Sequence, residues 1–268
     1  LLPIIHLVEA ILNYLIAGLL GLAVGSFLNV VIYRLPRRER IRTGRSACVH
    51  CRHPLKWYHN IPVVSYACLR GRCAFCGGRI SPRYPAVELI TAGLYLYLLW
   101  QFGLALESFI FAYIFSALVA IFFIDLEHQI IPDVITLPGI VLGVAVSLLP
   151  GGMSILSSLL GLVVGGGSLY LIALLGDWLF KKDSMGGGDI KLAAMLGAFL
   201  GWQKVLFVFV ASAAIGLAVA LVLMAFSRGL RRHRVIPFGP FLAVAAMLAA
   251  VWGDRIVGFY VDHFLGLP

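Results

Sequence analysis

The sequence predicts an all-α polytopic membrane protein of about eight transmembrane helices, with one small loop domain outside the bilayer. Three observations carry that prediction. Apolar residues make up 61% of the 268-residue chain and charged residues only 12%, more apolar side chain than a soluble domain of this length can hide. The apolar residues fall in runs near the ~20 residues that a straight helix needs to cross a bilayer. The cations are gathered into a few loops between those runs rather than spread along the chain.

The candidate spans are 4–33, 86–101, 104–124, 134–149, 154–180, 190–201, 204–226 and 237–252. The first is too long for a cleavable signal and reads as a span, although the chain begins at Leu1 rather than Met. The sixth is short, a half-span or one extended by its flanks. Brief connections at Gln101–Gly103, Pro150–Gly152 and Trp202–Gln203 read as hairpin loops between antiparallel helices. Small residues four apart recur at Gly21/Gly25, Gly139/Gly143, Gly161/Gly165 and Gly197/Gly201. Such pairs let helix backbones approach closely where lipid supplies no hydrophobic drive. The division expected is a first helix over 1–33, a loop domain over 34–85 and a helical membrane core over 86–268.

Charge sets the orientation. Residues 34–83 hold 12 of the 21 Lys and Arg and a single acid, Glu39. If that loop is cytosolic, alternation places 125–133, 181–189 and 227–236 on the same side. With Lys181, Lys182, Lys191, Arg228, Arg231, Arg232 and Arg234, that side carries 19 of the 21 cations, leaving Lys204 and Arg255. This is the positive-inside pattern. The net charge of +9 reads as topology signal and attraction to anionic lipid. Nucleic-acid binding is not expected, because no aromatic-basic platform accompanies the charge.

Four of the five cysteines form two pairs, Cys48-Val49-His50-Cys51 and Cys73-Ala74-Phe75-Cys76, with 21 residues between them. Two CxxC turns at about this distance each point two thiolates at one tetrahedral ion, the pattern of a structural zinc site. Disulfides or redox thiols are the alternatives, but disulfides rarely persist in the cytosol. Zinc also suits a fifty-residue loop too small to bury its own core. Gly77 and Gly78 allow the left-handed turn such a knuckle needs. Four sulfurs would close the site, leaving Cys68 as an ordinary buried thiol and making His50, His53 and His59 unnecessary as ligands.

Asp125 and Asp189 each stand where an apolar span meets a polar loop, on the expected cytosolic side. Intramembrane or membrane-edge carboxylates are costly and mark chemistry or transport. Asp133, after Pro132, reads as a helix N-cap. Asp183 reads as solvated, Asp177 as a partner for the nearby lysines, and Glu127 as facing solvent. Asp189 also has a cap reading, but the three glycines before it, Gly186-Gly187-Gly188, exceed what a cap requires. Two neighbouring carboxylates sharing a proton can serve as base toward a water and acid toward a carbonyl, as in aspartic proteases. The same pair would also suit a proton-coupled transporter, for which mid-membrane acids are the expected mark.

Several segments together carry a resemblance. They are Gly25-Ser26-Phe27-Leu28-Asn29-Val30-Val31-Ile32-Tyr33-Arg34-Leu35-Pro36, the two CxxC pairs, and Ile80-Ser81-Pro82-Arg83-Tyr84-Pro85-Ala86-Val87-Glu88. Further on come Ile124-Asp125-Leu126-Glu127-His128, Pro132-Asp133, Met185-Gly186-Gly187-Gly188-Asp189-Ile190-Lys191-Leu192 and Ile236-Pro237-Phe238-Gly239-Pro240. In this order, over nearly the whole chain, they resemble the bacterial type IV prepilin peptidases, membrane aspartic proteases that also act as N-methyltransferases. Ser184 departs from the glycine that members often carry there.

The resemblance implies that Asp125 and Asp189 are the catalytic pair and that Cys48, Cys51, Cys73 and Cys76 bind the zinc. It implies cleavage of a basic leader after a glycine at the cytosolic face of the bacterial inner membrane, on prepilin or pseudopilin substrates. It further implies methylation of the new N-terminus with S-adenosylmethionine. No G-x-G-x-x-G follows a predicted strand, so the donor residues are not assigned. Asn29 and Glu88 are candidates by position, with helix packing or capping as their plainer roles. A related peptidase lacking the methyltransferase activity is the nearer alternative, and the cysteine loop argues against it.

Overall fold

Long apolar runs and hinge glycines give a chain of helices, and a computed structural model describes residues 2–41, 46–149, 152–181, 185–226, 236–260 and 262–263. Lys182, Arg228, Arg231, Arg232 and Arg234 of the charge argument, with Asp183, expected to be solvated, and Ser184, lie outside the described residues. The helices are α1 (Leu2–Arg34), α2 (Val64–Cys68), α3 (Arg83–Phe102), α4 (Leu106–His128), α5 (Asp133–Val146), α6 (Ile155–Phe180), α7 (Gly187–Phe226) and α8 (Gly239–Tyr260). Five of them are long and apolar enough to cross a membrane among the described residues, α5 being shorter. The only β pairings described are two isolated bridges, Ala47 with Pro54 and Arg72 with Arg79. The fold is therefore the all-α polytopic one that the composition predicts.

The chain divides into two compact units, Leu1–Ala120 and Ile121–Pro268, with the boundary inside α4. In the first, α1 packs antiparallel on α3. A Cβ added at Gly21 or Gly25 would lie 2.6 Å from the Ala92 or Glu88 Cα, so nothing larger than glycine fits. α3 ends at Gly103, whose φ of 64° lies in the left-handed region. Tyr95 and Ser116 share a hydrogen bond of 3.0 Å between α3 and α4.

In the second unit the first half of α7 is the central element. Its Gly197 lies against Gly161 of α6 so closely that a Cβ on either would strike the other's carbonyl oxygen. The buried Ser158 hydroxyl donates to the Ala198 carbonyl at 2.8 Å across the same seam. Gly139 and Gly143 of α5 meet Met195 and Ala198 on another face. All four sequence pairs of small residues thus serve helix packing, as their spacing predicts.

α7 is not one straight rod. Gly201 has φ 83° and ψ 169°, a conformation open to glycine and costly for other residues. Gly165 faces both the Ala193 carbonyl and the Val205 side chain, which lie on opposite sides of Gly201 in sequence. The chain therefore folds back there, and residues 187–200 and 202–226 are two legs. The reversal expected at Trp202–Gln203 occurs one residue earlier, because only the glycine can adopt the required φ. The short sixth span is lengthened by its N-terminal flank, starting at Gly187. The second leg then runs antiparallel to α8, where Lys204 Nζ bonds Asp254 at 2.8 Å and Gly216 packs on Phe241.

Gly197→Val should force α6 and α7 apart and destabilise the protein by ~1–3 kcal/mol or more. Thermal unfolding in detergent measures this, and an unchanged midpoint would contradict the packing described.

Candidate functional site: a carboxylate pair and a four-thiol centre

With the chain reversed at Gly201, three segments meet at one end of the second unit. They are the end of α4 with the turn 129–132, the start of α7 and the start of α8. Asp125 is 5% exposed near the C-terminus of α4. Its Oδ2 accepts a 3.1 Å hydrogen bond from the Gly239 N–H, at a helix N-terminus where backbone donors face outward. A Cβ at Gly239 would sit 2.5 Å from that oxygen, so glycine is required for the carboxylate to come this close. The sequence places Gly239 within a motif without giving it a role, and only the contact reveals one.

Ile131 joins this corner to the start of α7. Its side chain lies 2.9 Å from the Cβ position of Gly188 and 3.1 Å from that of Gly239. Asp189 follows in the first turn of α7, close enough to Asp125 for the two charges to interact. Its Oδ1 is buried without a hydrogen-bond partner, so it is not serving as a cap. Of the three glycines before it, Gly188 is the one that admits a neighbouring chain; a side chain on Gly187 would meet nothing.

Asp133 corrects the capping expectation. It lies inside the first turn of α5 after Pro132, and no side-chain cap bond forms there. Its carboxylate instead takes both oxygens to Lys191 Nζ, at 2.8 and 2.7 Å. This ion pair ties α5 to α7 two residues beyond Asp189. Both side chains are about half exposed (51% and 42%), so the pair stabilises by only ~0.2–1 kcal/mol. Glu127 is exposed, as expected, 4.0 Å from His128 Nε2.

The cysteines of the first unit converge as their spacing predicts. The sulfurs of Cys48, Cys51, Cys73 and Cys76 all lie within 4.8 Å of one another, and Cys48 and Cys76 are 3.8 Å apart. Tetrahedral bonds of about 2.3 Å to one ion require sulfurs about 3.8 Å apart. The two knuckles share one geometry. The Cys48 N–H bonds the His53 carbonyl and the Arg52 N–H bonds the Cys48 carbonyl, at 3.0 and 2.9 Å. At the other, Cys73 bonds Gly78 and Gly77 bonds Cys73, at 2.8 and 2.9 Å. Arg52 (φ 56°) and Gly77 (φ 68°) occupy the equivalent left-handed positions.

The backbone N–H groups of Cys76 and Phe75 pull the Cys73 thiol down to about 6. At Cys76 the Gly78 N–H also acts downward, but burial and the adjoining thiols prevail and push it up to about 11. Thiols crowded this way favour a cation that takes them all as thiolates. All five cysteines are free thiols, and four of them gather in one cluster rather than in bonded pairs. Cys68 is exposed, not buried as expected, because α2 is a five-residue helix that buries no residue.

Asn29 of α1 and Glu88 of α3 are both buried. The Asn29 amide donates to the Tyr84 carbonyl at 2.9 Å, and the Glu88 Oε2 accepts the Val63 N–H at 2.7 Å. The first bond ties α1 to α3 and the second ties the loop domain to α3, in keeping with packing and capping roles. Val63 itself holds φ 59°, a strained value for a β-branched residue.

Fold and sites define a polytopic helical membrane protein with two adjacent acids at one end of a helix bundle and a four-cysteine centre in its loop domain. Residues 19–102 match the Bacterial Peptidase A24 N-terminal domain and residues 110–221 the Type IV leader peptidase family. The chain is 38% identical to the prepilin leader peptidase/N-methyltransferase of Pseudomonas putida, over 90% of this chain and 91% of that protein. It is 36% identical to the protein of the same name from Legionella pneumophila, over 94% and 96%, and 39% identical to that from Pseudomonas aeruginosa, over 91% and 92%. No solved structure matches at a significant level. The chain belongs to the type IV leader peptidase family.

Metal analysis of the purified protein should find one tightly held divalent ion per chain. Cys48→Ser should release it and expose residues 46–80 to proteolysis. Metal-free protein with an equally resistant loop would show that the thiols hold their shape alone.

Proposed function

We propose that this protein is a prepilin peptidase that uses Asp125 and Asp189 as its catalytic pair and methylates the N-terminus it creates. The single observation that supports this reading best is the arrangement of the two acids. Asp125 is buried and held by a helix N-terminus, and Asp189 is beside it with one oxygen free of partners. Such a pair needs one shared proton and one water. The hydrogen bond from Gly239 suits Asp125 to the ionised role, in which it takes a proton from the attacking water. The free Oδ1 suits Asp189 to carry the shared proton and give it to the scissile carbonyl oxygen. The tetrahedral diol then collapses: the C–N bond breaks, the amine leaves with the proton that Asp125 took from the water, and a hydroxyl returns its proton to Asp189 as the new carboxyl C=O forms.

The substrate is a prepilin or pseudopilin whose basic leader stays in the cytosol while its apolar segment lies in the bilayer. Cleavage follows a glycine at the cytosolic face of the bacterial inner membrane, where the positive-inside pattern puts the loop 34–85 and the acids. The core 86–268 carries the peptidase. Zinc fits the four thiols of the loop domain, because a closed set of four sulfurs serves shape rather than reaction. S-adenosylmethionine, when bound, supplies an activated methyl group for the freed amine. The transporter reading loses ground because both acids lie at one end of the helices instead of midway along them.

Incubation with a prepilin, with and without S-adenosylmethionine, followed by mass spectrometry, should show loss of the leader mass and one added methyl group. Asp125→Asn and Asp189→Asn should each lower cleavage by about 10²–10⁴-fold or more in folded protein. Near-normal cleavage by either would falsify the pair's assignment. Gly239→Ala should displace the Asp125 carboxylate and lower kcat at least tenfold, with KM little changed; a normal kcat would mean that the close approach is not needed.

A further inference from the structure

Within the loop domain, a cavity of about 460 Å³ is lined by Ser46, Leu55, Lys56, Trp57, Tyr58 and Asn60. The volume falls in the ~300–1,000 Å³ range of small-molecule sites. Backbone bonds hold the segments that line it: the Leu55 N–H bonds the Ser46 carbonyl at 2.7 Å, and the His59 N–H bonds the Lys56 carbonyl at 2.9 Å. Yet the turn Trp57–Asn60 buries none of its residues, and Trp57 is 80% exposed. A large aromatic group held out by a short rigid turn is not contributing to a core.

Trp57 is nevertheless braced. Its ring meets Tyr58 edge-on at 5.7 Å, Tyr58 meets His59 at 4.5 Å, and His59 meets Phe75 at 5.4 Å. Phe75 lies between Cys73 and Cys76, so this aromatic row is anchored in the four-thiol centre. The indole edge is supported while much of its surface stays open to a planar partner. Asn60 adds an amide and Ser46 a hydroxyl, both able to bond a heterocycle edge or a ribose. Lys56, with Nζ 5.7 Å from the Tyr58 ring centre, adds a cation for a carboxylate. A flat base, a sugar and an amino-acid carboxylate are the parts of an adenosyl amino acid. An aromatic anchor at the bilayer surface would have use for the indole, but not for the amide, hydroxyl and cation grouped around the same cavity.

The geometry points to this cavity as the site that binds the adenosyl part of the methyl donor, with the base stacked on Trp57. The inference rests on the methyltransferase half of the proposed function. It assigns that activity a binding site made of loop-domain residues.

The test uses the full chain in nanodiscs with S-adenosylhomocysteine as probe. In a variant retaining only Trp57, with Trp100, Trp178, Trp202 and Trp252 changed to Phe, the probe should quench the fluorescence. Equilibrium dialysis should show affinity reduced roughly tenfold or more in Trp57→Ala, as loss of a stacked base partner does. Trp57→Phe should restore most of it, and metal content should be the same in all variants. If the wild type binds donor and methylates while Trp57→Ala and Asn60→Ala bind as tightly, the cavity is not the site and the methyltransferase reading stands. If the wild type neither binds donor nor methylates, that reading falls and the inference with it. Quenching of Trp57 by brominated lipid, with no response to the probe, would overturn the assignment in favour of a membrane anchor.

Discussion

The backbone contact between α6 and the first leg of α7 is the constraint on which the second unit depends. Lipid offers helices no hydrophobic reason to associate, so association rests on close van der Waals contact and on hydrogen bonds across the seam. Gly161, Gly165 and Gly197 remove the side chains that would prevent it, and Ser158 adds a buried bond to the Ala198 carbonyl. With the first leg fixed, Gly201 sends the chain back beside it. The second leg supports α8, and the first residue of α8 reaches Asp125. An acid on α4 is thus positioned by a glycine 114 residues away, through a series of close packings. Each step uses a residue with no side chain to spare.

The two polar centres solve different physical problems. A carboxylate buried at a helix end must be given hydrogen-bond donors or a shared proton, and Gly239 supplies the donor for Asp125. Asp189 keeps a free oxygen, a costly arrangement with no packing benefit, which is why it supports a chemical role. The loop domain lacks a core, so four sulfurs held by two matching knuckles take its place. Backbone N–H groups pull the Cys73 thiol down, while burial and the adjoining thiols push the Cys76 thiol up. A divalent ion bound there would relieve that crowding by replacing their protons. The loop is then joined to the helices by Glu88, whose carboxylate receives the Val63 N–H.

Much of this was readable in advance where the signal is local. Apolar run length gave the spans, and spacing of four gave the packing glycines, because both follow from helix geometry alone. The CxxC pairs gave the thiol cluster because a tetrahedral ion permits few spacings. Local reasoning failed where a side chain had a choice of partners. Asp133 has the position of a cap and bonds Lys191 instead, a residue 58 places on. Cys68 has the composition of a core residue but sits on a helix too short to have a buried face. The turn was expected at the polar Trp202–Gln203 pair, but the pivot is Gly201, because backbone conformation decided it rather than polarity.

The sequence by itself determined that this chain is a bundle of membrane helices with a cysteine-bound loop, and it singled out Asp125 and Asp189. Those conclusions depend on composition, periodicity and short spacings, which the chain carries whatever its path. The tertiary structure alone decided that the acids share one corner, that Gly239 and Ile131 build it, and that Asp189 keeps an oxygen free. These depend on how far apart in sequence the chain's contacts lie. Two carboxylates 64 positions apart meet only because the helices between them pack closely enough to bring the chain back.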